Sequence, residues 1–202
     1  RIKFKIFNEF KGDLQFKFAI EYIQYNNRSA KDSIQFLNDF YENLATKTDE
    51  HNKLIELQKL KFMMFESPIK IDEIDQRSFN LIEKIKDIKN ASIKYEILEY
   101  RLNFLAQITE NDEKAILEFR KYNHLIASNE GINKSWVDIV LNFFRKWSGS
   151  TYIIKHPDEA QKIFIKFKNY LEKIIDFKIL SKTLKNYLDA QKVILSTSGR
   201  NE

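Results

Sequence analysis

The chain has no cysteine, only four glycines and only two prolines in 202 residues. Without cysteine there is no disulfide, no thiolate zinc site, no iron–sulfur cluster and no cysteine nucleophile. That composition suits a reducing cytoplasm, which is the expected compartment. The glycines, Gly12, Gly131, Gly149 and Gly199, lie far apart. No GxGxxG fingerprint and no GxxxxGK phosphate loop can be written, and no GxSxG nucleophile elbow. All-β folds need Gly, Pro and Asn-Gly turns about every eight to twelve residues, and that punctuation is missing. Long apolar runs are missing too. The longest is Phe62-Met63-Met64-Phe65, far short of the roughly 18 residues of a membrane span, so no membrane partner is expected. The start, Arg1-Ile2-Lys3-Phe4, has neither an initiator Met nor the apolar core of a signal peptide. It reads as a fragment or processed piece of something longer.

What is present is a chain able to fold. A hydrophobic share of 43% is too high for a disordered segment of this charge. The length fits one domain or one continuous array, with enough core to need no covalent or metal staple. The net charge is +5, from 34 Lys+Arg against 29 Asp+Glu. The charges are interspersed, as on solvated helix faces. The densest basic stretch is late in the chain. There Lys162, Lys166, Lys168 and Lys173 are the candidates for nucleic-acid contact.

Helical spacing dominates the rest. Ile34, Leu37, Tyr41 and Leu44 recur at three- and four-residue steps. So do Leu54, Leu57, Leu60 and Met64, then Ile71, Ile74, Ser78, Leu81, Ile85 and Ile88, then Tyr95, Leu98, Leu102 and Leu105. Each series lays an apolar stripe along one side of a helix. Short polar residues mark the starts: Ser29 with Asp32, Thr48 and Asp49, Asn111, and Asn133. Pro157 suits a first helical turn, where its missing N–H costs nothing. Stops fall at Glu66-Ser67-Pro68, Asn129-Glu130-Gly131 and Ser148-Gly149-Ser150. The pattern predicts about nine helices, over 13–26, 30–46, 49–65, 71–89, 91–108, 111–128, 133–148, 157–175 and 177–195. Residues 1–12 fit either a strand or a helix, and 196–202 read as a frayed tail.

Successive helices begin roughly 18 to 25 residues apart, so pairs recur about every 40, the period of a helical-hairpin solenoid. Short links make neighbours antiparallel. Two helices are apolar on two sides, 91–108 and 133–148, as a helix packed against both its partner and the next repeat would be. The expected fold is therefore all-α, a right-handed α-α superhelix of antiparallel hairpins, forming a single helical-repeat domain over 1–195.

On specific residues the chain resembles a degenerate tetratricopeptide repeat array. Trp136-x2-Ile139-Val140-x2-Phe143 is similar to the family's first-helix motif, and Tyr95-x2-Leu98-Glu99-x2-Leu102 is a second copy. Ala115-x3-Phe119 and Ala160-x3-Phe164 resemble the second-helix motif. Glu99 and Val140 stand where the family has a small residue. The likeness covers roughly residues 91–175. It implies that the first helices line a concave groove, with Glu96, Tyr100 and Asn103 on one helix and Lys134, Leu141 and Arg145 on the next. It implies a scaffold or adaptor that binds a protein or peptide without catalysis. Two other readings stand beside it: a nucleic-acid-associated helical protein, and the sensor or regulatory domain of a longer protein carrying a DNA-binding or catalytic unit upstream.

Chemistry-bearing residues are few. His51, His124 and His156 are not paired at helical spacing, so no metal site is expected, and no cofactor. Arg120 and His124 lie one helical step apart, loosely like the Arg and His of some all-helical ribonucleases, but no third partner is evident. Asp72, Glu73 and Asp75 cluster at a helix start, where the backbone dipole accounts for them.

Overall fold

A computed structural model describes residues 13–26, 29–44, 47–127, 133–146 and 149–172, together with residues 185 and 192. The expected helix over 177–195, the tail 196–202, the ambiguous start 1–12 and Lys173 lie outside the described residues, the single positions 185 and 192 excepted. Among the described residues there are nine α-helices and no strand. The chain divides into two compact units, Arg1–Glu83 and Lys84–Glu202.

In the first unit, α1 (Asp13–Tyr25), α2 (Ala30–Glu42), α3 (Asp49–Met63) and α4 (Ile71–Glu83) pack in chain order, each on the next. The starts are set by side-chain caps. Ser29 Oγ accepts from the Asp32 N–H at 3.1 Å, and Thr48 Oγ1 from the His51 N–H at 3.1 Å. Each satisfies a first-turn donor that has no partner within the helix. Phe16, Ala19 and Ile23 of α1 bury against Phe36, Leu37 and Phe40 of α2, with Ile55 of α3. Each large side chain so buried contributes about 1.5–3 kcal/mol. Phe16 meets Phe40 edge-on, with ring centroids 5.4 Å apart. The His51 ring lies 4.7 Å from the Phe16 ring, a packing role. Arg77 of α4 clamps α3: Nη2 donates to Glu56 at 2.8 Å and Nη1 to Glu73 of its own helix at 3.2 Å. Lys59 donates to the same Glu56 at 2.7 Å.

The second unit holds α5 (Ala91–Asn103), α6 (Asp112–Tyr122), α7 (Lys134–Lys146), α8 (Gly149–Lys155) and α9 (Pro157–Leu171). Here α5 packs against both α6 and α7, and α8 against α7 and α9. Three expected helices change winding before their expected ends. The 71–89 helix stops at Glu83 and continues as a 3-10 turn, Ile85–Asp87. That tighter winding superimposes positions three apart, which buries Ile85 and Ile88 together. The 91–108 helix turns to π geometry over Phe104–Ile108, where Phe104 and Leu105 are both buried. The π turn closes with the Asn111 N–H reaching Leu105 O at 2.9 Å across Glu110, whose φ is +51°. The 111–128 helix becomes 3-10 over Asn123–Ile126. One helix was not expected: Gly149, read as part of a stop, opens α8.

Candidate functional site

On α5 the positions 96, 100 and 103 fall on one side, because they are four and three residues apart. Glu96, Tyr100 and Asn103 are all half-buried there. The partners expected on α7 are placed differently. Lys134 is exposed at the helix start. Leu141 is only 3% exposed and is part of the core. The side chain of Arg145 lies outside the described part of the structure. Leu141 is enclosed because Trp136, Val137, Ile139, Val140, Phe143 and Phe144 are buried as well. Apolar residues so placed leave α7 one polar strip, Lys134, Asp138 and Asn142, at four-residue steps.

Asn142 of that strip faces α5. Asn142 Nδ2 donates to Glu99 Oε1 at 2.9 Å and to Tyr95 Oη at 3.2 Å, so one amide bridges two groups a turn apart on α5. Burial pushes the Tyr95 hydroxyl well above its ordinary range. Its hydrogen bond to Glu99 and the charges of Glu99 and Asp138 push the same way. Tyr170 of α9 is raised too, by burial and then by the Asp138 charge. Tyr95, Glu99, Asp138, Asn142 and Tyr170 are all half-buried. They form an acceptor-rich patch with neutral tyrosines, beside the Glu96–Tyr100–Asn103 row. Such a patch suits a cationic side chain or the amides of a peptide. Sequence reasoning missed Asp138 and Asn142. The signal was available, since they are the two polar residues between Trp136 and Phe144.

Two charged networks lie elsewhere in this unit. Arg101 of α5 is 0% exposed and holds Glu118 of α6 through two 2.9 Å bonds. Arg120 of α6 grips Glu159 of α9 in the same two-pronged way, at 2.9 and 2.7 Å. The buried Tyr152 donates to Glu159 at 3.0 Å. The Arg120 bond holds the Glu159 carboxyl below the usual range, against a smaller opposing effect of burial; Tyr152 and the His156 charge add to it. Arg120 is therefore joined to Glu159, while His124 sits exposed in the 3-10 turn beyond the end of α6. His156 is the residue before α9, and its ring lies 5.4 Å from the Tyr152 ring at a tilt of 47°. Among the described residues no group of three or more Asp, Glu or His is arranged to hold a metal ion. No described helix is long and apolar enough to cross a membrane. Lys162, Lys166 and Lys168 are exposed on α9.

Compared with known proteins, the chain matches no family model, no curated protein and no solved structure.

Proposed function

We propose that this chain is a non-catalytic scaffold that binds a protein or peptide on the α5–α7 surface of a helical-hairpin array. The observation that carries the reading is the Asn142 bridge to Tyr95 and Glu99 beside the half-buried row Glu96, Tyr100 and Asn103. It puts amide-matching and anionic groups beside an α7 whose Trp136, Val137, Ile139, Val140, Leu141, Phe143 and Phe144 are buried. The two-sided packing of α5, on α6 and on α7, fits a first helix in a repeat. Glu56, Glu113 and Glu159 are held below the usual carboxylate range by cationic partners. General-acid chemistry asks for the opposite shift.

The test is a panel of immobilised dodecapeptides, from acidic to basic, probed with the full chain. Basic or neutral peptides are expected to be retained. Combining Glu96→Ala, Tyr100→Ala and Asn103→Ala should weaken retention about tenfold, since a few anchors carry most interface energy. Helicity by circular dichroism should stay unchanged. Equal retention by the variant removes this surface, and retention of no peptide removes the function.

A further inference from the structure

α9 is closed on one side and open on the other. Ala160 and Phe167 are buried. The opposite arc, with Gln161, Lys162, Ile165, Lys166, Lys168 and Asn169, is exposed. No acidic residue occurs from Ala160 to Leu171, so three positive charges share the middle length of this arc, with the acidic Asp158 and Glu172 only at its two ends along the helix. Lys47, Lys53, Lys59 and Lys155 each reach a carboxylate. Lys162, Lys166 and Lys168 form no ion pair with a described residue, although Asp158 and Glu172 stand four positions from Lys162 and Lys168. At the middle of the arc Ile165 is 53% exposed.

We propose that this face of α9 docks a short acidic segment of a partner protein, with an apolar side chain of that segment seated on Ile165. Complementary charge accelerates encounter and sets register, and the apolar contact adds affinity. From Lys162 to Lys168 the cations span about 9 Å along the helix axis, a length that a few partner residues fill. A phosphate backbone fits less well. Asp158 and Glu172 bracket the lysines and repel a continuous anion. The arc also offers no arginine for two-pronged phosphate contacts and no aromatic ring for a base. The α9 lysine face is distinct from the Glu96–Tyr100–Asn103 row on α5, although Tyr170 of α9 belongs to the α5–α7 patch.

The full chain is titrated into a dye-labelled dodecapeptide with glutamates four apart around a central leucine, read by fluorescence anisotropy. Binding is expected for this peptide and absent for its glutamine counterpart. Lys162→Gln with Lys166→Gln should weaken it about tenfold, and Ile165→Ser about threefold. The same removal of two charges at the exposed Lys84 and Lys86 should change it less than about twofold, as should the α5 triple variant. Four outcomes overturn the proposal. They are no binding of the acidic peptide, equal loss in both double-lysine variants, loss on changing α5 instead, and tighter binding of a single-stranded DNA of equal charge.

Discussion

Arg101 and Glu118 close a fork of two parallel hydrogen bonds inside the second unit, Nε to Oε2 and Nη2 to Oε1, both 2.9 Å long. The Arg101 guanidinium carbon also lies 6.0 Å from the Phe104 ring centroid, where the π turn begins. A pair this dry is costly to halve, because the remaining charge cannot reach water. Arg101→Met alone is expected to lose about 3–5 kcal/mol of stability, measured by urea denaturation. Arg101→Met together with Glu118→Leu should lose less than the single change. A double variant as unstable as the single would show that packing, not the unpaired charge, sets the cost.

Acid should weaken the fold through named carboxylates. Glu56 feels burial most, which raises it, but the bonds from Lys59 and Arg77 together outweigh burial and leave it below its ordinary 4.5. Glu113 is lowered by Lys155, and Glu159 by Arg120. A depressed folded value means that the folded state binds the proton less readily than the unfolded chain. The stabilisation is thus complete above the unfolded value and is lost as pH falls through the folded ones. Glu159→Gln should lower the melting temperature at neutral pH, and its gap to the parent chain should narrow toward about pH 3. A gap independent of pH would contradict the assignment.

Glu110 occupies the left-handed region at φ +51°, a conformation that costs a side chain with a Cβ but not glycine. Glu110→Gly is expected to raise stability by up to about 1 kcal/mol. A lower urea midpoint in the variant would show that the Glu110 side chain contributes more than its backbone costs.

Ser33 sits at 0% exposure in α2, and its hydroxyl has no hydrogen-bond partner among the described residues. Ser33→Ala removes a desolvated polar group and improves helix propensity, so it should stabilise the first unit by about 1 kcal/mol. Destabilisation would point to a partner for that hydroxyl.

Helix starts were legible in the sequence because capping is local. Ser29, Thr48 and Asn111 each bond the N–H three residues on, and Asn133 does so to Trp136 at 2.9 Å. The cap of α5, Asn90, went unremarked, though it accepts from Ser92 at 2.9 Å. Helix ends were read less well. Apolar spacing continues through Ile85 and Ile88 whether the backbone is α or 3-10, so periodicity does not see the change of winding. Of the expected groove residues, Glu96, Tyr100 and Asn103 share one half-buried side of α5. Leu141 was placed in a groove by motif register, whereas the apolar residues around α7 pull it inward. The ion pairs were illegible because their members lie 17 residues apart for Arg101 and Glu118 and 39 for Arg120 and Glu159. Arg120 looked like a partner for His124, and a glutamate from another helix takes that place.

The Asn142 amide also acts as a vernier between α5 and α7. Ile and Leu side chains tolerate sliding along one another, because dispersion has little directional preference. An amide aimed at two oxygens does not. A slip of one turn moves it about 5.4 Å, and the half-buried Tyr95 Oη and Glu99 Oε1 would then each lose the Asn142 donor. The neighbouring apolar contacts hold the two helices together, and this one side chain selects which rung of α7 meets which rung of α5.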